Sequence, residues 1–303
     1  RTHHLRRSYT RKNHLYDSCL GSRRRRCCLD VQVSFSPHEM RNERKQRKHE
    51  TTNTPTTYVS EHANMLCERT CSTWYVMLST DDEEIADKYN IPVIEDGAQS
   101  FGSTYENKTD SNLGDISITS FFPSKPLGCY GDGGAVFTNN DEYAKKIKML
   151  RVHGQTKRNH HKYIGIGGRL DTIQAAVLLA KLPYFSKELL DRQKVADFYS
   201  DALPTTIKTP IIKSERSSAW AQYTIRLDNR DTIQNELKKK GIPTSIFYPV
   251  TLHLQECFKY LNYKQGDLLV SEKISNEVIS LPMNSFLTHD QLNYVVSSIK
   301  DNV

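Results

Sequence analysis

Ile91-Pro-Val-Ile-Glu-Asp96-Gly-Ala-Gln-Ser-Phe-Gly102 is a short apolar run that ends on a carboxylate and passes at once into small residues. Residues 91–95 read as a buried strand, being short, apolar and followed by a turn-forming cluster. Asp96 then stands at the carboxyl end of that strand. Gly97 and Ala98 let a flat ring approach the backbone there, and the Gln99 amide has a ring substituent within reach. An Asp in such a place is ordinarily a turn former or helix cap, so it decides nothing alone. Ser120-Phe-Phe-Pro-Ser-Lys125-Pro-Leu-Gly128 follows, with Lys125 lying 29 residues after Asp96 in a loop held by Pro123 and Pro126. A second strand is expected over 116–122, and the Ser120 hydroxyl at its end is free to take a phosphate oxygen.

A lysine amine and a strand-end carboxylate together are what pyridoxal phosphate chemistry requires. The amine condenses with the cofactor aldehyde, and the carboxylate keeps the pyridine nitrogen protonated so that the ring accepts electrons. A loop lysine is ordinarily a solvated surface charge. Gly128, Gly131, Gly133 and Gly134 argue instead for close backbone packing beside a ligand. A desolvated lysine near a cationic ring has a lowered pKa and is a competent nucleophile.

Outward from these two runs, strands alternate with helices. The end of a helix is expected over 83–89 and a third strand over 134–138. Helices are expected over 140–151, 170–182 and 185–202, with Pro204 marking the end of the last. A smaller unit follows, with a strand over 222–227, a helix over 232–240 closed by Gly241, and a strand over 244–248. Helices over 269–279 and 288–300 end the chain. This interleaving implies an α/β layered architecture whose ligands gather at the carboxyl ends of strands.

Residues 1–80 are chemically different. They carry 15 Lys and Arg against 7 Asp and Glu, no Ile, and only Gly21 among glycines. The whole net charge of +7 therefore originates there. Charge runs such as Arg23–Arg26, without lasting periodicity, predict a poorly ordered basic segment with at most a short strand near 74–78. The runs lack interleaved aromatics and a reading module, so no nucleic-acid partner is expected. No stretch has the apolar length of a membrane span or a secretory signal, which points to a cytoplasmic chain with no membrane partner. Cys67 and Cys71 with His62 lack a second ligand pair, and His153, His160 and His161 lack a carboxylate cluster, so no metal is expected.

Residues 93–102 and 120–128, with Gly131-Asp-Gly-Gly-Ala135 and Gly167-Gly-Arg-Leu-Asp-Thr-Ile-Gln-Ala-Ala176, resemble the DegT/DnrJ/EryC1/StrS sugar aminotransferases. Tyr248-Pro-Val-Thr-Leu-His-Leu-Gln255 is similar to the same family, and the likeness covers about 81–303. The resemblance implies an aspartate-aminotransferase-like fold of the PLP-dependent type I class, N-terminally incomplete. Its large domain would be 81–203, partial, and its smaller C-terminal α/β domain 204–303. It also implies a homodimer using pyridoxal 5'-phosphate, a nucleotide-sugar substrate and an amino-acid donor, with glutamate expected. By position, Lys125 and Asp96 would be catalytic, and Asp96, Gln99, Ser120 and Lys125 would bind cofactor. Arg169, Tyr248 and His253 would line the sugar-nucleotide site. The likeness is strongest to enzymes aminating 3-keto sugars of the UDP-2-acetamido-hexuronate type, for surface polysaccharide such as O-antigen.

Two departures keep a rival in view. Many relatives place at the position of Gly167 an Asn whose amide reaches the cofactor phosphate. They also have a small-residue turn and helix N-terminus before the Asp strand, to which nothing in 1–80 corresponds. The rival is a non-catalytic truncated remnant with an unrelated or frame-shifted N-terminus.

Overall fold

The computed structural model describes residues 28–29 and 80–303. The poorly ordered segment expected over 1–80, the short strand near 74–78 and the Cys67, Cys71 and His62 group otherwise fall outside the described residues. A four-stranded sheet has β1 (Cys28–Leu29), β6 (Gly134–Thr138), β5 (Ile116–Ser120) and β2 (Ile94–Asp96) in that spatial order. β2 and β5 are parallel, whereas β6 is antiparallel to both β5 and β1. Two small hairpins also form, β3 (Thr104–Tyr105) with β4 (Lys108–Thr109) between β2 and β5 in the chain, and β7 (Gln155–Lys157) with β8 (His160–His161) after β6.

The strand expected over 91–95 begins later. Pro92 has no N–H to give a ladder, and the Val93 N–H is taken by Asp115 Oδ2 at 2.8 Å. The strand expected over 116–122 stops at Ser120, because the Phe121 N–H turns to the Gly133 carbonyl at 2.7 Å. The buried face of β5 is polar, and each of its hydroxyls has an acceptor. Ser117 donates to Glu95 Oε2 at 2.7 Å and Thr119 to the Gly97 carbonyl at 3.0 Å.

α1 (Thr80–Tyr89) precedes β2, and α2 (Asp141–Leu150) follows β6. α2 starts where the sequence indicates, since Asn140 Oδ1 accepts from the Glu142 and Tyr143 N–H groups at 2.9 and 3.2 Å. The two helices expected over 170–182 and 185–202 are one, α3 (Thr172–Ala202), with Pro183 inside it. Pro183 removes one helical hydrogen bond, but packing on both sides carries the helix through. Leu178 and Phe185 enter a core with Phe121, Leu127 and Cys129, and Val195, Ala196 and Tyr199 enter a second core.

That second core is built on β9 (Tyr223–Arg226), paired antiparallel with β10 (Val278–Leu281), and covered by α4 (Arg230–Lys239) and α6 (His289–Lys300). β10 corrects the helix expected over 269–279, because α5 (Leu269–Glu277) ends before it. Glu277 Oε2 takes Arg226 Nη2 at 2.6 Å, and Arg230 Nη1 donates to the Ser275 and Val278 carbonyls at 2.9 Å each. The strand expected over 244–248 does not form; only a Ser245–Ser280 bridge joins it to β10. Two short 3-10 helices, Leu252–Leu254 and Glu256–Leu261, follow it. Gly241, at φ +75°, closes α4 as expected.

Ile279 is fully buried in the β9–β10 core. Ile279→Ala is expected to destabilise the chain by about 2–5 kcal/mol through lost transfer energy and the cavity left behind. The check is denaturant unfolding, in which the midpoint falls and the slope stays constant.

Candidate active site

Because β2 and β5 are parallel neighbours with Asp96 opposite Ile118, both strands deliver their last residues to one edge of the sheet. Asp96 and Ser120 lie there, and β6 begins opposite them, with Gly134 paired to Ser120. The chain after Asp96 forms a turn carrying Gln99. Asp96 is exposed and Gln99 half-buried, and Asp96 Oδ1 accepts the Ala98 N–H at 3.0 Å. The Ser120 Oγ accepts the Phe122 N–H at 3.3 Å and keeps its own proton to donate.

Lys125 is half-buried in the loop between β5 and β6. Its backbone N–H closes a turn onto the Phe122 carbonyl at 2.9 Å. Burial lowers the Lys125 amine below the usual lysine range, and the Asp96 carboxylate, close enough for its charge to be felt, partly offsets that. The loop itself is pinned. A Cβ on Gly128 would sit 2.5 Å from the Pro123 carbonyl oxygen, so the chain crosses itself there as only glycine permits. The Cys129 Sγ reaches the Phe121 carbonyl at 2.9 Å.

Two residues of α3 that the sequence did not single out hold this loop. The Lys181 Nζ donates to the Gly128 carbonyl at 2.6 Å, and Gln174 Oε1 accepts the Tyr130 N–H at 2.8 Å. They are two helical turns apart, on one face of α3. Gln174 lies inside the 167–176 run, and its polarity amid Ile173, Ala175 and Ala176 was the available signal.

The other candidates are placed differently. Arg169 is exposed, next to Leu170, which packs against Gly133 at this same edge. Tyr248 is exposed and His253 is buried, with its Nε2 2.9 Å from Glu272 Oε1, and among the described residues no hydrogen bond, ion pair or ring contact joins either to Lys125. Gly167 is bridged to Val152, and a Cβ there would lie 3.1 Å from the His153 ring. Among the described residues no group of three His, Cys, Asp or Glu is placed to hold a metal ion, and no helix is long and apolar enough to cross a membrane.

The donor set fits a phosphorylated pyridine aldehyde. It offers a carboxylate for a ring nitrogen, an amine with its pKa lowered by burial for the aldehyde, an amide beside the ring, and a hydroxyl for the phosphate. The neutral fraction of the Lys125 amine rises with pH through a midpoint below that of an ordinary lysine, because burial disfavours the charged form. Modification of Lys125 by an amine-selective reagent, mapped by peptide mass against pH, is expected to show that lowered midpoint. A midpoint equal to that of an ordinary solvated lysine would contradict it.

The model of the DegT/DnrJ/EryC1/StrS aminotransferase family matches residues 81–300. The UDP-2-acetamido-2-deoxy-3-oxo-D-glucuronate aminotransferase of Pseudomonas aeruginosa is 47% identical over 216 residues, which are 71% of this chain and 59% of that protein. A DegT DnrJ EryC1 StrS aminotransferase from Brucella abortus superposes with a TM-score of 0.69 at 39% identity, covering 74% of this chain and 61% of that one. NtdA of Bacillus subtilis, solved with bound cofactor PMP, superposes at 0.65 with 28% identity, covering 73% and 52%. The chain thus spans about three fifths of the length of the first two. The described α/β architecture is that of the aspartate-aminotransferase-like, type I class.

Proposed function

The chain belongs to the DegT/DnrJ/EryC1/StrS aminotransferase family, a pyridoxal-phosphate-dependent family, and from that premise we propose that it moves an amino group from an amino acid to a keto group of a nucleotide-linked sugar. The observation that carries the proposal is that parallel β2 and β5 bring Asp96 and Ser120 to one edge of the sheet, where the half-buried Lys125 stands in the loop leaving Ser120. The donor is glutamate and the product serves surface polysaccharide such as O-antigen. The likeness to the Pseudomonas aeruginosa protein supports a 3-keto hexuronate on UDP. A homodimer in the cytoplasm is the working form, with 81–203 as the large domain and 204–303 as the small one.

Pyridoxal phosphate, when bound, supplies an electron sink that acidifies the carbon bearing the donor's nitrogen. Lys125 would hold the cofactor at its aldehyde group and give way to the donor amine. Its freed Nζ then takes the proton from that donor carbon and returns one along the same face, acting as base and then as acid. Asp96 would keep the ring nitrogen protonated, Gln99 would lie beside the ring, and the Ser120 hydroxyl would donate to a phosphate oxygen. Arg169, Tyr248 and His253 contribute to the sugar-nucleotide side. Atoms balance as amino acid plus keto sugar giving 2-oxo acid plus amino sugar.

The test is an assay of the purified full chain with pyridoxal phosphate, glutamate and a UDP-linked 3-keto sugar, read by product mass. An increase of 1 Da, from exchange of O for NH₂ plus H, is expected to the order of about one mass unit. Absence of product with every amino donor and keto sugar, from a chain that binds the cofactor, would remove the substrate assignment.

A further inference from the structure

We propose that Asp110 is the positioning residue of the turn that carries Gln99 and, through the Ala98 N–H, steadies Asp96, setting where those two side chains meet the cofactor ring. The inference rests on the site described above and extends it to a residue outside that site.

The turn is tied at both ends. At the near end the Gly97 N–H donates to the Ile118 carbonyl at 2.8 Å, and the Thr119 hydroxyl donates to the Gly97 carbonyl at 3.0 Å. Asp110 makes the far tie. Its Oδ1 accepts the Gly102 N–H at 2.8 Å, its Oδ2 accepts the Ser100 hydroxyl at 3.2 Å, and its own N–H donates to the Ser103 carbonyl at 3.0 Å. Ala98 and Gln99 ride between the two ties, and Asp96, the last residue of β2, is held to the turn by the Ala98 N–H on its Oδ1 at 3.0 Å. The carboxylate also backs the turn from beneath, since a Cβ on Gly97 would lie 3.3 Å from Asp110 Oδ2.

Gly102 fixes the direction in which the far tie is needed. Its φ is +97°, and a Cβ there would lie 2.7 Å from Leu189 Cδ1 and 2.9 Å from Phe185 Cε1, so α3 presses on the chain from the opposite side. Phe101 stacks on Phe137 and Phe185 with ring centroids 6.2 and 5.7 Å away. The Gly102 N–H faces away from that aromatic wall and has Asp110 as acceptor. A carboxylate suits the position because two oxygens are asked to receive three donors, the Ser111 hydroxyl at 3.4 Å being the third. Glu95, the nearby buried carboxylate, has its own partners in the Ser111 and Leu113 N–H groups and the Ser117 hydroxyl, at 2.7, 3.0 and 2.7 Å. Burial, with Glu95 adding to it, pushes Asp110 up to about 7. Charged or neutral, its Oδ1 still accepts from Gly102.

Without Asp110 the Gly102 N–H loses its acceptor, and the turn must move to find another. The experiment measures pyridoxal phosphate affinity by fluorescence titration of the full chain for wild type, Asp110→Ala, Asp110→Asn and Ser100→Ala, with a melting curve for each. Asp110→Ala is expected to bind about tenfold more weakly, Ser100→Ala about threefold more weakly, and Asp110→Asn within about twofold of wild type. The Asn rescue separates positioning by an acceptor oxygen from mere loss of volume. A wild-type affinity in both Asp110→Ala and Ser100→Ala overturns the inference alone, and so does an Asp110→Asn chain as weak as Asp110→Ala. If Asp110→Ala does not fold, Ser100→Ala decides, and wild-type affinity there overturns the inference. A wild-type chain that binds no pyridoxal phosphate overturns the reading of the site and this inference with it.

Discussion

Lys125→Ala is expected to lower amino transfer by about 10⁴-fold or more, since one side chain both holds the cofactor aldehyde and carries the proton. The fold should survive the change. Lys125 contributes a backbone N–H to the turn on Phe122, which Ala retains, and its side chain is only half-buried. The loop stays pinned from elsewhere, by the Gly128 crossing over Pro123 and by Lys181 on the Gly128 carbonyl. Single-turnover rates and a melting curve on the same preparation check this. A variant that transfers amino groups at a rate within tenfold of wild type, about 1.4 kcal/mol, would remove Lys125 from the chemistry.

Asp96→Asn is expected to bind the cofactor and to turn over about 10²–10⁴-fold more slowly. The amide keeps an oxygen for the Ala98 N–H, so the turn that Asp96 opens is preserved. What is lost is charge. A neutral amide does not hold a pyridine nitrogen protonated, and it no longer raises the Lys125 amine, whose pKa then falls further below the ordinary lysine range. The two effects have opposite consequences for a pH profile. The neutral amine is available from lower pH, while the maximum rate drops. A kinetic and pH comparison with wild type separates them, and unchanged turnover would make Asp96 a turn former only.

The parts of the fold legible in the sequence are those decided by local chemistry. β6 occupies 134–138 as expected, since glycines precede it and apolar residues fill it, and α2 follows the Asn140 cap. α3 reads locally as two helices, and its Pro183, unfavourable inside a helix, lies where they would part. One core takes Leu178 and Phe185 from either side of Pro183 and a second takes Val195, Ala196 and Tyr199 further on, and neither is visible in a local window. The start of β10 reads as helix because Val270, Ile274 and Val278 continue a helical spacing. The bonds that pull the chain out, from Arg226 to Glu277 and from Arg230 to Val278, come from β9 and α4, about 50 residues away by the sequence separation. Residues 244–248 looked like a strand by composition, yet β10 offers them only the Ser245–Ser280 bridge.

The candidate site divides in the same way. Asp96, Gln99, Ser120 and Lys125 stand in short runs whose glycines and prolines mark them out. Asp110 stands in the polar run 106–112, which has neither period nor apolar content, so nothing local distinguishes a carboxylate under a turn from one in water. Lys181 likewise reads as a solvated face of α3 until the Gly128 carbonyl is seen to lie against it.

The central claim is that Lys125 is the amine that bonds to the cofactor. Its most direct test is to mix the purified full chain with pyridoxal phosphate, reduce with borohydride, digest, and locate the fixed pyridoxyl group by mass spectrometry. The account predicts one stoichiometric label on Lys125, in the peptide following Ser120-Phe-Phe-Pro-Ser, and its loss in Lys125→Ala. A stoichiometric label on any other lysine, or none on a folded chain at saturating cofactor, would contradict it.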